Sequence, residues 1–227
     1  LLDHAAAYVA WLVGEKGYDC IRYYNLVNEP NGFWSAADGD FDLWAKAVSY
    51  FRGRLDAEGL AGKVELVGPD AAIWGPEEAW WVSRSRDELG DRIGLYDIHT
   101  YPSKCTVNSG EYTRILEAYR REVPAGKKIV MGEIGFKFVE PADSLLQTIH
   151  AGYSGCIAWM LDDAMHFKEA PDKLKIWGFW NIFGDEIFGA GEERVRPWYY
   201  AWSLLCRTLR PGSDFFAADV RGAAGVK

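Results

Sequence analysis

Two glutamates of this 227-residue sequence stand where short apolar runs end. Glu29 follows the run 21–27, and Glu133 follows the run 128–131. In parallel α/β proteins the reactive side chains gather where the strands end and the loops begin. Two carboxylates at different strand ends can cleave a glycosidic bond, because one protonates the leaving oxygen while the other attacks the sugar or activates water. The pattern therefore predicts that Glu29 and Glu133 form a catalytic pair.

Polar or aromatic residues also mark the neighbouring run ends. Asn28 directly precedes Glu29, His99 and Tyr101 follow the third run, and Trp159 lies in the fifth. Each residue alone has an ordinary structural explanation, since a lone polar side chain at a strand end is more often paired on the surface than catalytic. Polar ends on several runs together favour one shared site.

Five apolar runs bounded by turn residues alternate with helical patterns, which is typical of βα units and a parallel sheet. The runs are residues 21–27, 64–67, 93–98, 128–131 and 155–161. No Gly-x-Gly-x-x-Gly follows the first run, so a doubly wound dinucleotide-binding sheet lacks its main support. The competing (β/α)8 barrel has eight strands in about 250 residues. The sequence predicts an α/β fold that represents about strands 4 to 8 of such a barrel.

The barrel hypothesis predicts the distance between the two glutamates. Strand ends three positions apart leave a gap of about 5 Å between two inward carboxylates. That gap matches a retaining mechanism, about 5–5.5 Å, better than an inverting one, about 6.5–9.5 Å. The strand period of two predicts that Glu133 shares its inward face with Ile129 and Met131, and that His99 shares its face with Asp97.

Helices are predicted between the strands from apolar positions three and four apart. One buried stripe runs from Phe41 to Leu55 and ends near Gly59. Further helices are predicted from Pro76 and over 112–119, 145–149 and 197–209.

The positions of the cysteines and of several tryptophans predict packing in the core rather than metal binding, redox activity or sugar binding. The four cysteines form no C-x-x-C pair, so neither a metal cage nor a redox motif is indicated. Cys20, Cys156 and Cys206 lie in apolar runs, which predicts buried free thiols. Trp11 and Trp44 lie on helical stripes, as does Trp202, and all three are predicted in the core.

Composition and charge exclude several classes of partner. With 25 basic and 33 acidic residues the net charge is −8, a poor match to nucleic acid or an anionic bilayer. No apolar run is long enough to span a membrane, and no signal peptide is visible at the N-terminus. The aromatic content of 15% includes 11 tryptophans, whose flat faces suit stacking against sugar rings.

Four stretches resemble one large clan of enzymes. They are Tyr24–Asn31, Tyr96–Pro102, Ile129–Gly135 and Ile157–Trp159. Together they resemble the retaining (β/α)8 glycoside hydrolases of the clan that contains families 5, 30 and 39, without distinguishing the family. The resemblance extends to about Gly212. It implies a partial catalytic barrel over residues 1–212, with residues 213–227 as the stub of a following β-rich domain or a tail.

The resemblance also implies a role for each candidate residue. Glu29 would be the general acid/base with a raised pKa, and Glu133 the nucleophile that stays ionised. Asn28 would hydrogen-bond the 2-hydroxyl of the sugar being cleaved, and Tyr101 would hydrogen-bond Glu133. His99 would line the same subsite, and Trp159 would lie under the sugar ring. The implied substrate is an oligosaccharide or polysaccharide, no cofactor is needed, and the clan favours a secreted or periplasmic location. Oligomeric state is not predicted.

Strands 1 to 3 of the clan fold have no counterpart in the sequence, which predicts a fragment of a longer enzyme. Two other functions remain open at this point. One is a glycan-binding barrel without catalysis. The other is a metal-dependent barrel hydrolase, with ligands drawn from Asp97, His99, Asp162, Asp163 and His166.

The long segment 162–196 is rich in aromatic residues and exceeds the ordinary length of a βα connection. Its aromatic side chains are Trp177, Phe179, Trp180, Phe183 and Phe188. They are expected either to shape the sugar subsites or to pack the loop on itself.

Overall fold

Five parallel strands form a single sheet in the computed structural model, which describes residues 1–135, 141–162, 178–181, 184–191, 193–216 and 218. The strands are β1 (Tyr23–Asn25), β2 (Glu65–Ile73), β3 (Ile93–Thr100), β4 (Lys128–Gly135) and β5 (Cys156–Trp159). Each predicted run therefore overlaps a strand, and β2, β3 and β4 extend beyond the runs that predicted them. They follow one another in the order β1-β2-β3-β4-β5 without a reversal. A doubly wound sheet reverses its strand order, so this order fits a segment of a barrel.

Helices precede, connect and follow the strands. They are α1 (Leu2–Ala10), α2 (Phe41–Ala57), α3 (Trp80–Leu89), α4 (Lys104–Asn108), α5 (Glu111–Glu122), α6 (Pro141–His150), α7 (Gly184–Phe188) and α8 (Pro197–Thr208). A π-helical turn, Trp11–Glu15, continues α1, and 3₁₀ turns cover Pro76–Ala79 and Gly90–Arg92. The structure confirms each predicted helix within a few residues, with Pro76 opening the 3₁₀ turn that leads into α3.

Helix α2 shows how the outer layer packs on the sheet. The ring of Phe51 lies 5.2 Å from that of Tyr24 in β1. The indole of Trp44 covers Gly68 of β2, where an added Cβ would come within 2.9 Å of it. A glycine in this strand therefore allows close approach of helix and strand. The helix ends just before Gly59, whose φ of +77° suits a residue without a side chain.

A bulge in β4 decides which way Glu133 points. Ile98 pairs with Met131, but His99 pairs with Glu133, so Gly132 has no partner in β3. Paired residues share a face, so Met131 lies on the helix side with Ile98, and Glu133 lies on the opposite side with His99. The prediction that Glu133 shares a face with Met131 is therefore wrong. The extra residue interrupts the strict alternation of side chains between the two faces of the strand.

Ile129 pairs with Tyr96 and also faces the helices, and both residues are fully buried. The predicted inward position of Ile129 is wrong for the same reason as that of Met131. The prediction that Asp97 and His99 share a face is consistent with the register, because β3 itself carries no extra residue between them. This face, opposite the helices, is the inner face of the sheet.

A second bulge interrupts β2. Pro69 pairs with Asp97 and Ala71 pairs with Ile98, which leaves Asp70 between them without a partner in β3. Asp70 has a φ of +58°, in the left-handed region that side chains other than glycine rarely adopt. The bulge turns this carboxylate toward the inner face, as its hydrogen bonds show below.

Two core predictions need correction. Cys20 and Cys206 are exposed, and Cys156 is half-buried. Trp44 and Trp202 belong to the core, but Trp11 is 44% exposed. Apolar neighbours in the sequence do not determine which side of a helix or turn a residue occupies, and this explains the errors.

No helix within the described ranges is both long and apolar enough to cross a membrane. Residues 213–216 and 218 carry no helix or strand. The proposed division at residue 212 remains a prediction.

The close packing around Gly132 predicts how a larger residue at this position changes the stability of the protein. An added Cβ there would lie 2.0 Å from Asp97 Oδ2. We expect Gly132→Ala to lower the free energy of unfolding by about 1–3 kcal/mol, the usual cost of overpacking a filled site. Urea denaturation measures the change.

The matched control is Gly53→Ala in α2, where nothing lies within 4 Å of an added Cβ. Alanine there should raise the free energy of unfolding by about 0.5–1 kcal/mol, because glycine is the poorer helix former. A Gly132→Ala protein as stable as the parent would contradict the contact described.

Candidate active site

The loop after β1 carries Glu29 and is tied to β2 by hydrogen bonds. The Asn31 side chain pairs with Ala72 twice, donating to its carbonyl at 2.6 Å and accepting from its N–H at 2.9 Å. The backbone N–H of Glu29 donates to Asp70 Oδ2 at 3.3 Å. Glu29 has a φ of +48°, so these contacts hold the residue in an uncommon left-handed conformation. Backbone strain of this kind concentrates at functional sites.

His99 joins the two glutamates. Its Nδ1 lies 3.0 Å from Glu29 Oε1 and 3.5 Å from Glu133 Oε2. The nearest such atoms of all three side chains lie within 4.8 Å of one another. The structure therefore brings Glu29 and Glu133 together on the inner face, and a separation within 4.8 Å is compatible with the gap of about 5 Å expected from barrel geometry.

Asp70 completes the cluster and is the principal residue that the sequence analysis missed. The residue as a whole is 2% exposed. It accepts a hydrogen bond from Asn25 Nδ2 at 2.6 Å, and its Oδ1 lies 3.0 Å from His99 Nε2. The predicted second run stops at Val67, three residues before Asp70. The signal that could have found Asp70 is a single acid inside the otherwise apolar stretch that continues to Ile73.

The charge of His99 is set by these neighbours. Burial by itself lowers the pKa of His99, but hydrogen bonds to Asp70 and Glu29, with the negative charges of Asp70 and Asp97, outweigh it. The pKa of His99 rises to about 10, so the side chain is an imidazolium at neutral pH. A cation that donates from both ring nitrogens lets carboxylates lie close together on the inner face.

Glu133 is held from the other side by Tyr101. The Tyr101 hydroxyl donates to Glu133 Oε1, the contact that the resemblance implies. The Tyr101 ring lies over Gly135, where an added Cβ would be 1.8 Å from the ring. The pKa of Glu133 is raised above its ordinary value, chiefly by burial, although the hydrogen bond from Tyr101 and the positive charge of His99 act to lower it. The ionised state expected of Glu133 depends on these two neighbours.

Asp97 fixes the bulge beneath Glu133. Its Oδ1 accepts the backbone N–H of Gly132 at 2.6 Å. Burial, and then the negative charge of Asp70, raise the pKa of Asp97 well above its ordinary value. The side chain therefore acts on Glu133 through the backbone.

Asn28 and Trp159 lie at the strand ends without a described contact to either glutamate. Asn28 is exposed, and its side chain makes no hydrogen bond to the residues that the structure describes. Trp159 pairs with Gly135, two residues after Glu133, and so lies on the inner face. The peptide bond after Trp159 is cis.

The described part of the aromatic segment packs against α8. Phe179 is 5% exposed, and its ring lies 5.6 Å from that of Tyr199 in α8. Trp180 is 6.4 Å from the same tyrosine. These two residues fit the packing interpretation of the segment. Trp177 and Phe183, together with the side chain of Phe188, lie outside the described residues.

Among the residues that the structure describes, two sets of side chains place possible metal ligands within 4.8 Å of one another. They are Glu29, His99 and Glu133, and Asp70, Asp97 and His99. His99 belongs to both sets, and a protonated histidine has no lone pair to offer a metal. A cation would therefore have to displace its proton. In the protonated state both sets are ion-pair networks.

The metal hypothesis drew on five residues, of which Asp97 and His99 come together. Asp162 forms an isolated bridge with Trp180 and belongs to neither set among the described residues. Asp163 and His166 lie outside the described residues.

No family model and no curated relative matches the sequence. Among solved structures, the chain is similar to a monomeric β-xylosidase from Caulobacter crescentus CB15, with a TM-score of 0.63 and 17% identity over 90% of this chain and 45% of that one. It is also similar to the GH39 enzyme from Xanthomonas axonopodis pv. citri, with a TM-score of 0.61 and 15% identity over 90% of this chain and 44% of that one.

A third similar structure is an α-L-arabinofuranosidase from Thermotoga maritima, with a TM-score of 0.51 and 17% identity over 71% of this chain and 41% of that one. At these identities the likeness shows the fold, which is part of a (β/α)8 barrel. The chain spans less than half the length of each of these three structures.

The His99 cluster predicts a pH dependence. Asp70→Asn should lower the pKa of His99 from about 10 toward its ordinary 6.5, because a negative acceptor becomes neutral. A pKa raised by folding stabilises the protein fully below the unfolded value, and that stabilisation is lost as the pH rises through the folded value. The loss therefore begins near the unfolded value in both proteins, and in the variant it should be smaller and complete at a lower pH.

NMR titration of the His99 ring and urea unfolding across this pH range measure both effects. Asp42→Asn is the matched control, because Asp42 pairs with Arg84 on the surface. An unchanged His99 titration in Asp70→Asn would show that Asp70 does not hold the charge.

Proposed function

We propose that the protein is a glycoside hydrolase that cleaves β-glycosidic bonds with retention of anomeric configuration. The observation that carries the proposal is the placement of Glu29 and Glu133, whose nearest carboxylate oxygens lie within 4.8 Å of each other. Retaining enzymes have carboxyl groups about 5–5.5 Å apart, and inverting enzymes leave about 6.5–9.5 Å for a water. The short separation supports direct attack by one carboxylate.

In the first step, Glu133 attacks the anomeric carbon and forms a glycosyl ester, while protonated Glu29 gives its proton to the departing oxygen. In the second step, Glu29 takes a proton from water, and the oxygen of that water attacks the anomeric carbon and releases Glu133. Both protons and both bonds are then accounted for. The glutamates finish in their starting states.

The neighbouring side chains support these roles. Tyr101 binds Oε1 of Glu133, which leaves Oε2 for attack. The positive charge of His99 lies beside Oε2, where it favours the ionised form of Glu133. Asn28 has an exposed side chain available for the sugar 2-hydroxyl, and Trp159 lies on the inner face where a sugar ring would rest.

The substrate class follows from charge and from the neighbours' names. A net charge of −8 suits a neutral glycan. Since two of the similar structures are titled a β-xylosidase and an α-L-arabinofuranosidase, pentosides are the first substrates to test. A panel of aryl β-xylosides, β-glucosides and α-L-arabinofuranosides should identify the sugar in the full polypeptide that carries this sequence.

Glu133→Gln should abolish turnover, with kcat reduced about a thousandfold or more, because an amide cannot form the ester. Glu29→Gln should slow substrates with poor leaving groups far more than those with good ones, since only the former need the proton. Glu111→Gln, an exposed position on α5, is the matched control. Hydrolysis rates on the same panel measure all three.

Undiminished hydrolysis by Glu133→Gln would remove Glu133 as the nucleophile. A first product of inverted configuration by NMR would remove the retaining mechanism. Binding of glycans without turnover by the parent protein would favour a glycan-binding barrel instead.

The two ligand sets around His99 make a metal-dependent hydrolase the alternative function. The proposed mechanism predicts that activity survives exhaustive chelation, because every proton and bond is handled by Glu29 and Glu133. Activity lost on chelation and restored by one added divalent ion would favour the alternative.

A further inference from the structure

Asp70 is a buried carboxylate on which three hydrogen-bond donors converge. Asn25 Nδ2 lies 2.6 Å from its Oδ2, and the backbone nitrogen of Glu29 lies 3.3 Å from the same oxygen. His99 Nε2 lies 3.0 Å from its Oδ1. The Asp70 side chain is 3% exposed, so the protein rather than solvent supplies its partners. A carboxylate suits this position because it accepts hydrogen bonds at both oxygens, whereas an amide accepts at only one.

Two of these contacts reach Glu29 by different routes. The first is the direct hydrogen bond from the Glu29 backbone N–H. The second passes through the His99 ring, whose Nδ1 lies 3.0 Å from Glu29 Oε1. Another contact of Glu29, the hydrogen bond from Trp34 Nε1 to Oε2 at 2.6 Å, does not involve Asp70. Asp70 therefore supports both the main chain and one carboxylate oxygen of the proposed acid/base.

The backbones of Glu29 and Asp70 share an uncommon conformation. Their φ angles are +48° and +58°, in the left-handed region that residues other than glycine rarely adopt. Such conformations persist where the surrounding contacts over-determine them. The hydrogen bond between the two residues is one of these contacts. We therefore expect a change at Asp70 to displace Glu29 as well.

Asp97, the second buried acid of the cluster, has different contacts. Its Oδ1 accepts the backbone N–H of Gly132 at 2.6 Å, and Gly132 directly precedes Glu133. Within the described ranges, Asp97 makes no hydrogen bond to Glu29. The two acids therefore support different glutamates, Asp70 the proposed acid/base and Asp97 the proposed nucleophile.

We propose that Asp70 is a positioning residue for Glu29, which it holds in place for proton transfer to the departing oxygen without touching the substrate itself. This inference rests on the proposed function, in which Glu29 is the acid/base. A general acid must lie within hydrogen-bond reach of the atom that it protonates, and a displacement of about 1 Å can cost about a hundredfold in rate. The burial of Asp70 keeps it out of reach of a bound sugar.

Asp70→Asn isolates this role. Asparagine keeps the size of the side chain and tolerates the left-handed backbone. Its one oxygen can accept from Glu29 or from His99, but not from both sides at once. In either orientation one support of Glu29 is weakened, either the direct hydrogen bond or the contact through the charged ring.

The test compares two aryl glycosides of one sugar in the full polypeptide that carries this sequence. Phenyl β-xyloside needs a proton on its departing oxygen, and dinitrophenyl β-xyloside does not. In Asp70→Asn, kcat/KM should fall roughly tenfold to a hundredfold on the phenyl substrate and stay within about twofold on the dinitrophenyl substrate. The corresponding glucosides are used if the substrate panel selects glucose.

A second readout separates positioning from a general loss of structure. With the dinitrophenyl leaving group, kcat is set by the second step, in which Glu29 acts as the base. In Asp70→Asn, kcat and KM on this substrate should therefore fall together, because the glycosyl ester accumulates. A loosened fold would instead lower kcat/KM on both substrates alike.

Asp97→Asn is the matched control, the same substitution at the neighbouring buried acid. Any loss that it causes should be equal on the two substrates, because Glu133 attacks in both reactions. Asn25→Ala removes one donor from Asp70 and should show the pattern of Asp70→Asn at smaller size. It provides the comparison if Asp70→Asn does not fold.

Equal losses on both substrates in Asp70→Asn and Asn25→Ala, or no loss in either variant, would overturn the positioning role and leave the glycosidase proposal standing. A parent protein that hydrolyses neither substrate, nor any member of the substrate panel, would overturn the glycosidase proposal and the role of Asp70 with it.

Discussion

The positive charge of the His99 ring holds the carboxylates of the site together. It lies within 3.0 Å of Glu29 and Asp70 and within 3.5 Å of Glu133. Three carboxylates gathered on one partly buried face would repel one another and take up protons. A positive charge between them offsets that repulsion and keeps them together. The cost of burying the cation is outweighed by its negative neighbours, as its raised pKa shows.

Two bulges in the sheet deliver acids to that cation. A regular strand would place Glu133 and Met131 on one face, and the extra residue at Gly132 separates them. The bulge at Asp70 likewise turns a carboxylate toward the inner face of β2. Asp97 binds the N–H of Gly132, so a buried acid on one strand fixes the conformation of the next. Backbone irregularity and side-chain chemistry are therefore parts of one arrangement.

The two oxygens of Glu29 have different partners. One contacts His99 and is thereby linked to Glu133, and the other accepts the indole N–H of Trp34. The inner face of the sheet supplies the charges, whereas the loop after β1 supplies the aromatic ring of Trp34. The strands and the connections between them thus contribute different kinds of side chain to the site.

Apolar runs and their spacing sufficed to predict five parallel strands, the main helices and the paired glutamates at the strand ends, because burial periodicity and turn residues are local properties. The hydrogen bond between Tyr101 and Glu133 was implied by resemblance. The face of Met131, the exposure of Cys206 and the role of Asp70 were decided only by the tertiary structure. A bulge is set by pairing with a neighbouring strand, and exposure by what packs opposite. Neither can be read from one segment, since both depend on residues far away in the sequence.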